Sequence, residues 1–312
     1  MNSYNTEIFL SSINKTISVK NFNTIFQKEL CKAFLEGNNK NTNSYINNVL
    51  SSITNTDIQD LSIIDKLLVL LKVRSRSVGN VISLSFKKDN KKYDIEYSVS
   101  NIYSEILKID IKKESIKQGD ISINMYIPRV YDEELLFFKP DNMNFDYEDI
   151  IPFFINNISI KGKNFFFKDL TFEQRKNIIS NTFTINIINQ IKDYILKVIN
   201  AINKIILYKD LDNTLYLNIL DGSLFDYITF LFNENLYNIY QSIYILTKHV
   251  GLSAEYIENL TPIERDLYLK LLEKENAEIS KASNDGENNE NINIPNNSSL
   301  DGLDTYAAMK GG

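Results

Sequence analysis

Two runs of acidic residues are the first candidates for chemistry in this sequence. One consists of Asp132, Glu133 and Glu134, and the other contains Asp146, Glu148 and Asp149. Neighbouring carboxylates can serve in general acid–base catalysis or bind a divalent cation. Neither run has the Asp-x-Asp-x-Asp-Gly spacing that shapes a calcium-binding loop, so we interpret both as solvated loops. A metal-dependent hydrolase that uses these carboxylates is the less favoured alternative.

Nucleophilic catalysis has little support in the sequence. An activated nucleophile needs a nearby base, and His249 is the only histidine. It precedes Val250 and Gly251, a context typical of a helix end, where a cation meets the negative end of the dipole. Cys31 is the only cysteine, which excludes a disulfide framework and a thiolate-rich zinc site. Glycine-rich phosphate-binding motifs are also missing, so we expect no catalytic residue, no metal and no cofactor.

The charge distribution argues against polyanionic partners. The chain of 312 residues has a formal net charge of −6, and its Lys and Arg residues are scattered among Asp and Glu. A nucleic acid or an anionic membrane would require a basic stripe. Polar residues interrupt the most apolar window, residues 185–208, and residues 1–12 do not resemble a secretory signal. We therefore expect a soluble protein of a reducing compartment that binds proteins rather than nucleic acid, membranes or a small-molecule substrate.

The periodicity of apolar residues predicts an α+β fold that is predominantly helical. Ile63, Ile64, Leu67, Leu68 and Leu71 follow helical spacing. Apolar and polar residues then alternate on both sides of a polar loop, which predicts a β-hairpin near residues 81–99. A further alternating run predicts a strand near residues 121–127, and we expect these strands to form a small antiparallel sheet. The C-terminal half of the chain is predicted to be helical.

Two helix starts are predicted by capping signals. Thr171 and Gln174 have the spacing of a capping box. Thr261, Pro262 and Glu264 combine an N-cap hydroxyl, a proline at the first helical position and a glutamate three residues past the cap. Between these starts, apolar residues repeat at coiled-coil spacing, namely Ile188, Ile191, Ile195, Val198, Ile202 and Ile205. The run is shorter than a confident coiled coil, so we favour a helix packed in its own core.

Composition divides the chain into three parts. Residues 1–59 form an asparagine-rich segment with one amphipathic helix, residues 60–276 form the main α+β domain, and residues 277–312 form a disordered tail. The end of the tail regains Leu303, Tyr306 and Met309. This end could be a docking peptide, but we favour a frayed terminus.

Two blocks of sequence go beyond generic patterning. The first is IIDKLLVLLKVRSRSVG at residues 63–79, and the second runs from LYNIY at residues 236–240 through PIERDLY at residues 262–268 to residue 276. Both resemble the baseplate protein family of T4-like tailed bacteriophages. In that family a helix ending in an Arg-Ser-x-Ser-Val-Gly-like turn precedes a β-hairpin, and a Pro-Trp-Glu-Arg-Glu-like helix start lies near the C-terminus. This chain has Ile263 in place of the tryptophan and Asp266 in place of the second glutamate.

The resemblance covers residues 60–276 and implies a non-enzymatic protein of the phage tail. The protein would be a component of the baseplate hub or a factor that assembles the hub. Its partners would be other baseplate and tail hub proteins, and it could also form an oligomer. It would act in the host cytoplasm during assembly and then in the baseplate of the virion. The alternative is a cytoplasmic assembly chaperone or adaptor that is absent from the mature particle.

Three arginines are candidate partner-binding residues. Arg74 and Arg76 lie in the turn at a predicted helix end, where cations are favoured and a guanidinium can bind a carboxylate through two hydrogen bonds. We expect them to contact an acidic partner, and a surface helix cap is an equally weighted alternative. Arg265 follows the capping Glu264 and is expected to be free to pair across a surface.

Overall fold

A computed structural model describes residues 6–88, 91–109, 113–138, 147–210, 212–220 and 222–282. The strands are β1 (Thr6–Leu10), β2 (Lys15–Val19), β3 (Val81–Lys88), β4 (Lys91–Ser98), β5 (Glu114–Gln118), β6 (Ile121–Met125), β7 (Ile155–Ile160), β8 (Lys163–Phe166), β9 (Ile206–Lys209) and β10 (Thr214–Tyr216). The α-helices are α1 (Thr24–Leu35), α2 (Asn39–Thr54), α3 (Ile63–Ser77), α4 (Val99–Leu107), α5 (Glu133–Phe137), α6 (Tyr147–Ile150), α7 (Phe172–Thr182), α8 (Ile185–Ile202), α9 (Ser223–Phe232), α10 (Leu236–Ile245), α11 (Ala254–Asn259) and α12 (Pro262–Ala282). The predicted α+β class, with predominant helices and a helical C-terminal half, is confirmed.

All strand pairs in the described part of the chain are antiparallel. β5, β6, β7 and β8 form a four-stranded sheet in that order, and β1–β2, β3–β4 and β9–β10 are separate hairpins. Ile116, Ile123 and Ile158 lie in register across three strands and are all buried, so this row faces the core. The predicted hairpin is β3–β4, and the predicted third strand is β6. However, β6 pairs with β5 and β7, because α4 begins directly after β4 and carries the chain away from the hairpin.

The N-terminal segment has more regular structure than its sequence predicts. It contains a hairpin and two helices, α1 and α2, where we expected one helix. The side chain of Asn38 accepts a hydrogen bond from the backbone amide of Asn41 and thereby caps α2. The two strands and α2 bury their apolar faces, namely Ile8, Leu10, Ile17, Val19, Ile46, Val49, Leu50 and Ile53. In α2, Asn47 and Asn48 separate the apolar residues and obscure this period in the sequence.

One hydrophobic core extends from Ile8 in β1 to Phe232 in α9 and crosses residue 60 without a break. A smaller cluster lies under the last helices and consists of Ile245, Leu246, Ile257, Leu269 and Leu272. The backbone amide of Thr24 donates to the carbonyl of Leu260 at 2.7 Å, which joins α1 to these helices. The N-terminal segment therefore packs with the rest of the molecule, and the division of the chain into three parts stays a prediction.

Helix α8 is a core helix, as we interpreted it. Its apolar face is buried, namely Ile187, Ile191, Tyr194, Ile195, Val198 and Ile202. This face contacts β5 and the 3₁₀ turn at Ile151–Phe154. The spacing that resembles a coiled coil is thus used against the sheet of the same chain.

Capping boxes start α7 and α12, as predicted. At α7, the backbone amide of Thr171 donates to Gln174 Oε1 at 2.9 Å, and the amide of Gln174 donates back to Thr171 Oγ1 at 3.3 Å. At α12, the amide of Thr261 donates to Glu264 Oε2 at 2.8 Å, and the reciprocal bond measures 3.3 Å. Both predicted starts are confirmed.

The ends of α10 and α12 complete the C-terminal region. A π-helical turn, Leu246–Val250, extends α10, and Gly251 ends it in the left-handed conformation at φ 75°. His249 therefore lies at a helix end, as predicted. α12 continues to Ala282, past residue 277, where we expected the tail to begin. The rest of the predicted tail, residues 283–312, lies outside the described residues.

Candidate interaction site

The predicted arginine turn lies at the end of α3, but Arg74 is buried in it. Its side chain is 9% exposed, and Nε donates to the carbonyl of Leu231 at 2.7 Å. Nη1 donates to the carbonyl of Gly79, so the guanidinium joins the end of α3 to the end of α9. Burial lowers the pKa of Arg74 to about 10, and the group stays charged at neutral pH. The expectation that Arg74 faces a partner is wrong for this geometry, because its hydrogen bonds are used inside the chain.

Arg265 is also an internal residue. It is 1% exposed, and Nη2 contacts both carboxylate oxygens of Glu234 at 3.2 Å. Nη1 donates to Gln27 Oε1 at 3.3 Å, which ties α12 to α1. Burial raises the pKa of Glu234, and Arg265 opposes that rise. The expectation that Arg265 is free on a surface is therefore wrong, since its guanidinium holds three segments of the chain together.

Arg76 is the exposed residue of the three, and it lies at a small cleft between α3 and the hairpin β1–β2. We call this feature the basic cleft and define it by Thr6, Lys20, Asn21, Lys72, Arg76 and Ser77. Lys20, Lys72 and Arg76 form no ion pair within the described residues. The partner-binding role that the sequence suggests stays a prediction, and this geometry restricts it to Arg76.

The backbone of the basic cleft is fixed by contacts to neighbouring helices. The amide of Lys20 donates to the carbonyl of Ile53 in α2 at 2.9 Å. The amide of Phe22 donates to Ser77 Oγ at 2.9 Å, which fixes the segment after β2 against the end of α3. Lys72 Nζ lies over the ring of Tyr103 at 5.3 Å from its centroid. The backbone around the cleft is thus held by contacts to α2 and α3.

The first acidic run is engaged in ion pairs rather than open to a metal. Asp132 contacts Arg175 Nη1 at 2.6 Å, and Glu133 contacts Lys66 Nζ at 2.7 Å. Asn43 accepts a hydrogen bond from Lys66 and donates one to Glu133, so the buried pair is also hydrogen-bonded. The interpretation of this run as a solvated loop is wrong for Asp132 and Glu133, which are both 1% exposed.

Burial sets the titration of these buried groups. It raises the pKa of Asp132 to about 6, although the neighbouring Arg175 favours the charged carboxylate. Burial also lowers the pKa of Lys66, although Glu133 acts in the opposite direction. Both oxygens of Glu133 and Oδ1 of Asp132 are bonded to cations of the same chain, whereas a catalytic metal would need such oxygens as ligands.

Two of the remaining acidic residues also form ion pairs, and a third, Glu148, is exposed in α6. Glu134 pairs with Lys40 at 2.6 Å, and Asp149 pairs with Lys176 at 2.6 Å. Asp146 lies outside the described residues. Among the residues that the structure describes, no group of three or more His, Cys, Asp or Glu side chains could hold a metal ion.

Sequence reasoning missed Lys20 and Lys72 as members of the cleft. Lys72 is four residues before Arg76 on α3, so the helical period contains a signal that places both on one face. Lys20 follows β2, and only the tertiary contact between the hairpin and α3 brings it to the same cleft. No local pattern contains that information.

Fold and site together describe an α+β protein in which buried charges connect helices, and in which the cations of the basic cleft form no ion pair with any residue that the structure describes. Residues 1–209 match the family described as T4 bacteriophage base plate protein. The chain therefore belongs to the T4 bacteriophage base plate protein family, which implies contacts with other phage tail and baseplate proteins. No curated protein and no solved structure matches the chain.

The family match covers a different range from the resemblance that we found in the sequence, which spans residues 60–276. It begins at residue 1 and so includes the asparagine-rich segment, which we had placed outside. It ends at residue 209, before the block at residues 236–276. The basic cleft lies inside the matched range, and α9 to α12 lie beyond it. Within the described residues, no helix has the length and apolar character needed to cross a membrane.

Proposed function

We propose that this protein is a non-enzymatic component of the phage baseplate hub or a factor that assembles the hub, and that it acts through protein–protein interfaces. The match of residues 1–209 to the baseplate family is the observation that carries this proposal. The proposal assigns the protein to the host cytoplasm while the baseplate forms and to the tail of the virion afterwards.

The geometry of the charged residues supports a non-enzymatic role. Asp132 and Glu133 are buried and paired with cations from α7 and α3. Such pairs fix the positions of helices, whereas catalytic carboxylates must reach a substrate. His249 lies at a helix end, two residues before Gly251, which ends the helix in the left-handed conformation.

Mass spectrometry of purified virions tests the structural part of this proposal. We expect peptides of this protein in intact particles at a constant ratio to known baseplate proteins after repeated density-gradient purification. Tail-less heads from the same lysate provide the control and should lack the protein. Cross-linking of isolated baseplates should join it to hub subunits.

The same measurement separates the alternative. A cytoplasmic chaperone or adaptor would be abundant in infected cells and absent from virions. In that case a phage that lacks the gene would fail to assemble baseplates. Virions of the unmodified phage would nevertheless contain no copy of the protein. Presence in the particle together with cross-links only to outer baseplate proteins would contradict the hub assignment.

A further inference from the structure

We propose that the basic cleft binds an acidic peptide segment of a partner protein. Lys20, Lys72 and Arg76 line the cleft and form no ion pair within the described residues. The chain as a whole has a formal net charge of −6, so this local charge has the opposite sign to that of the molecule. The unpaired cations attract carboxylates at the cleft, whereas the net negative charge disfavours an acidic peptide elsewhere on the molecule, so such a peptide is directed to this site.

The frame of the cleft favours binding because it is already ordered. The backbone bonds of Lys20 and Phe22 fix the hairpin against α2 and α3. The ammonium of Lys72 lies over the ring of Tyr103, 5.3 Å from its centroid. Because the backbone that carries the cations is already fixed, binding has to order only their side chains, which lowers its entropic cost.

The spacing of the cations indicates the form of the ligand. Lys72 and Arg76 are one helical turn apart, which separates neighbouring side chains by about 6 Å. In an extended peptide, residues i and i+2 point to the same side and are separated by about 6.6 Å. An extended segment with acidic residues at alternate positions therefore matches this face of α3. The guanidinium of Arg76 can bind one carboxylate through two hydrogen bonds, and Lys20 on the facing wall can bind another.

A peptide suits this cleft better than a nucleic acid does. Nucleic-acid binding depends on many phosphate contacts along a basic stripe, and the cleft offers a compact set of cations on an acidic molecule. The choice of a protein partner rests on the proposed function, in which the molecule works through contacts with other baseplate proteins.

Fluorescence anisotropy with a labelled octaglutamate peptide tests the proposal on the full purified chain. The test variant is Lys20→Gln/Arg76→Gln. The control variant is Lys163→Gln/Lys204→Gln, which removes the same charge from two exposed lysines outside the cleft. We expect the test variant to bind at least about tenfold more weakly than the unsubstituted protein and the control to stay within about twofold. An octaglutamine peptide should not bind to any of the proteins.

Several results would overturn the proposal. Equal weakening of the two variants would mean that the probe senses overall charge, and absence of octaglutamate binding would remove the site. Tighter binding of an eight-residue oligothymidylate would assign the cleft to nucleic acid. If a chain that ends at residue 282 binds the peptide more strongly than the full chain does, the C-terminal segment competes for the cleft. The cleft would then be assigned to that segment of the protein itself.

Two precautions keep the result decisive. Thermal unfolding midpoints of the variants are compared first, and single Arg76→Gln replaces the double variant if that one does not fold. Because purified protein and a synthetic peptide suffice, the outcome is independent of the virion measurement. A negative binding result with the protein present in virions would refute the cleft and leave the proposed function standing.

Discussion

At the scale of single residues, the most informative side chains are the buried ions. Lys66 and Glu133 are each at most 1% exposed, yet they contact each other at 2.7 Å. Removing two charges from water is unfavourable, and their attraction in the interior compensates only when the geometry is good and hydrogen bonds are complete. Asn43 provides such hydrogen bonds to both groups. The pair therefore fixes α3 against α5 rather than adding much net stability.

The substitution Lys66→Met tests this interpretation. It leaves the carboxylate of Glu133 buried without its cation, so we expect the free energy of unfolding in urea to fall by about 3–5 kcal/mol. Lys66→Met/Glu133→Gln should recover most of that loss, because the neutral amide keeps its bond to Asn43. The control is Lys40→Met, which breaks the exposed pair with Glu134 and should change stability by less than about 1 kcal/mol. Equal effects of Lys66→Met and Lys40→Met would contradict the assignment.

The buried Asp132 predicts a particular pH dependence. Burial raises its pKa to about 6, above the ordinary value near 3.8 that applies to the unfolded chain. Between these values the folded state retains a proton that the unfolded state releases, so stability falls as the pH rises and is constant above the folded pKa. For Asp132 alone this loss is on the order of 3 kcal/mol.

Urea unfolding at pH 4, 5, 6 and 7 measures this contribution when the protein is compared with Asp132→Asn. The difference in unfolding free energy, unsubstituted minus variant, should decrease from pH 4 to pH 6 and then level off. The comparison cancels the other carboxylates, which are common to both proteins. A difference that grows with pH would mean that Arg175 dominates over burial at this site.

At the scale of elements, the features that could be predicted from the sequence are those that depend on local signals. The capping boxes at Thr171 and Thr261 and the alternation in β3–β4 depend on residues a few positions apart, and the structure has them as predicted. α2 was missed because asparagines separate its apolar residues, so the helical repeat of apolar residues is hard to recognise in the sequence. The basic cleft could be predicted only for Arg76, since Lys20 reaches it through the packing of the hairpin on α3.

The cap of α12 gives a prediction at this scale. Thr261→Ala removes the hydroxyl that accepts the amide of Glu264 and donates to Glu264 Oε2, while the bond from the backbone amide of residue 261 to Glu264 Oε2 remains. We expect a loss of about 1 kcal/mol in the free energy of unfolding. Thr261→Ser keeps the hydroxyl and should lose less than about 0.5 kcal/mol. If Thr261→Ala and Thr261→Ser unfold at the same urea midpoint, the hydroxyl group of the cap contributes nothing to stability.

At the scale of the whole molecule, the limit of the family match and the limit of the core do not coincide. The match ends at residue 209, but the main core continues through α9 to Phe232. Leu224, Phe225 and Ile228 are each at most 3% exposed within that core. Arg74 and Arg265 add polar bonds between the two regions. The C-terminal helices therefore complete the structure on which the matched region depends.

Truncation tests this dependence. A chain that ends at residue 209 would expose the apolar surface that α9 covers, and each fully buried side chain of this size contributes roughly 1.5–3 kcal/mol when it leaves water. Loss of several such contacts exceeds the usual stability of a domain, about 5–15 kcal/mol. We expect this chain to aggregate or to unfold without a cooperative transition in circular dichroism. The control chain ends at Ala282, the last described residue of α12, and should keep the thermal midpoint of the full protein. A soluble, cooperatively unfolding 1–209 chain would show that the matched region is an independent domain and that α9 only covers its surface.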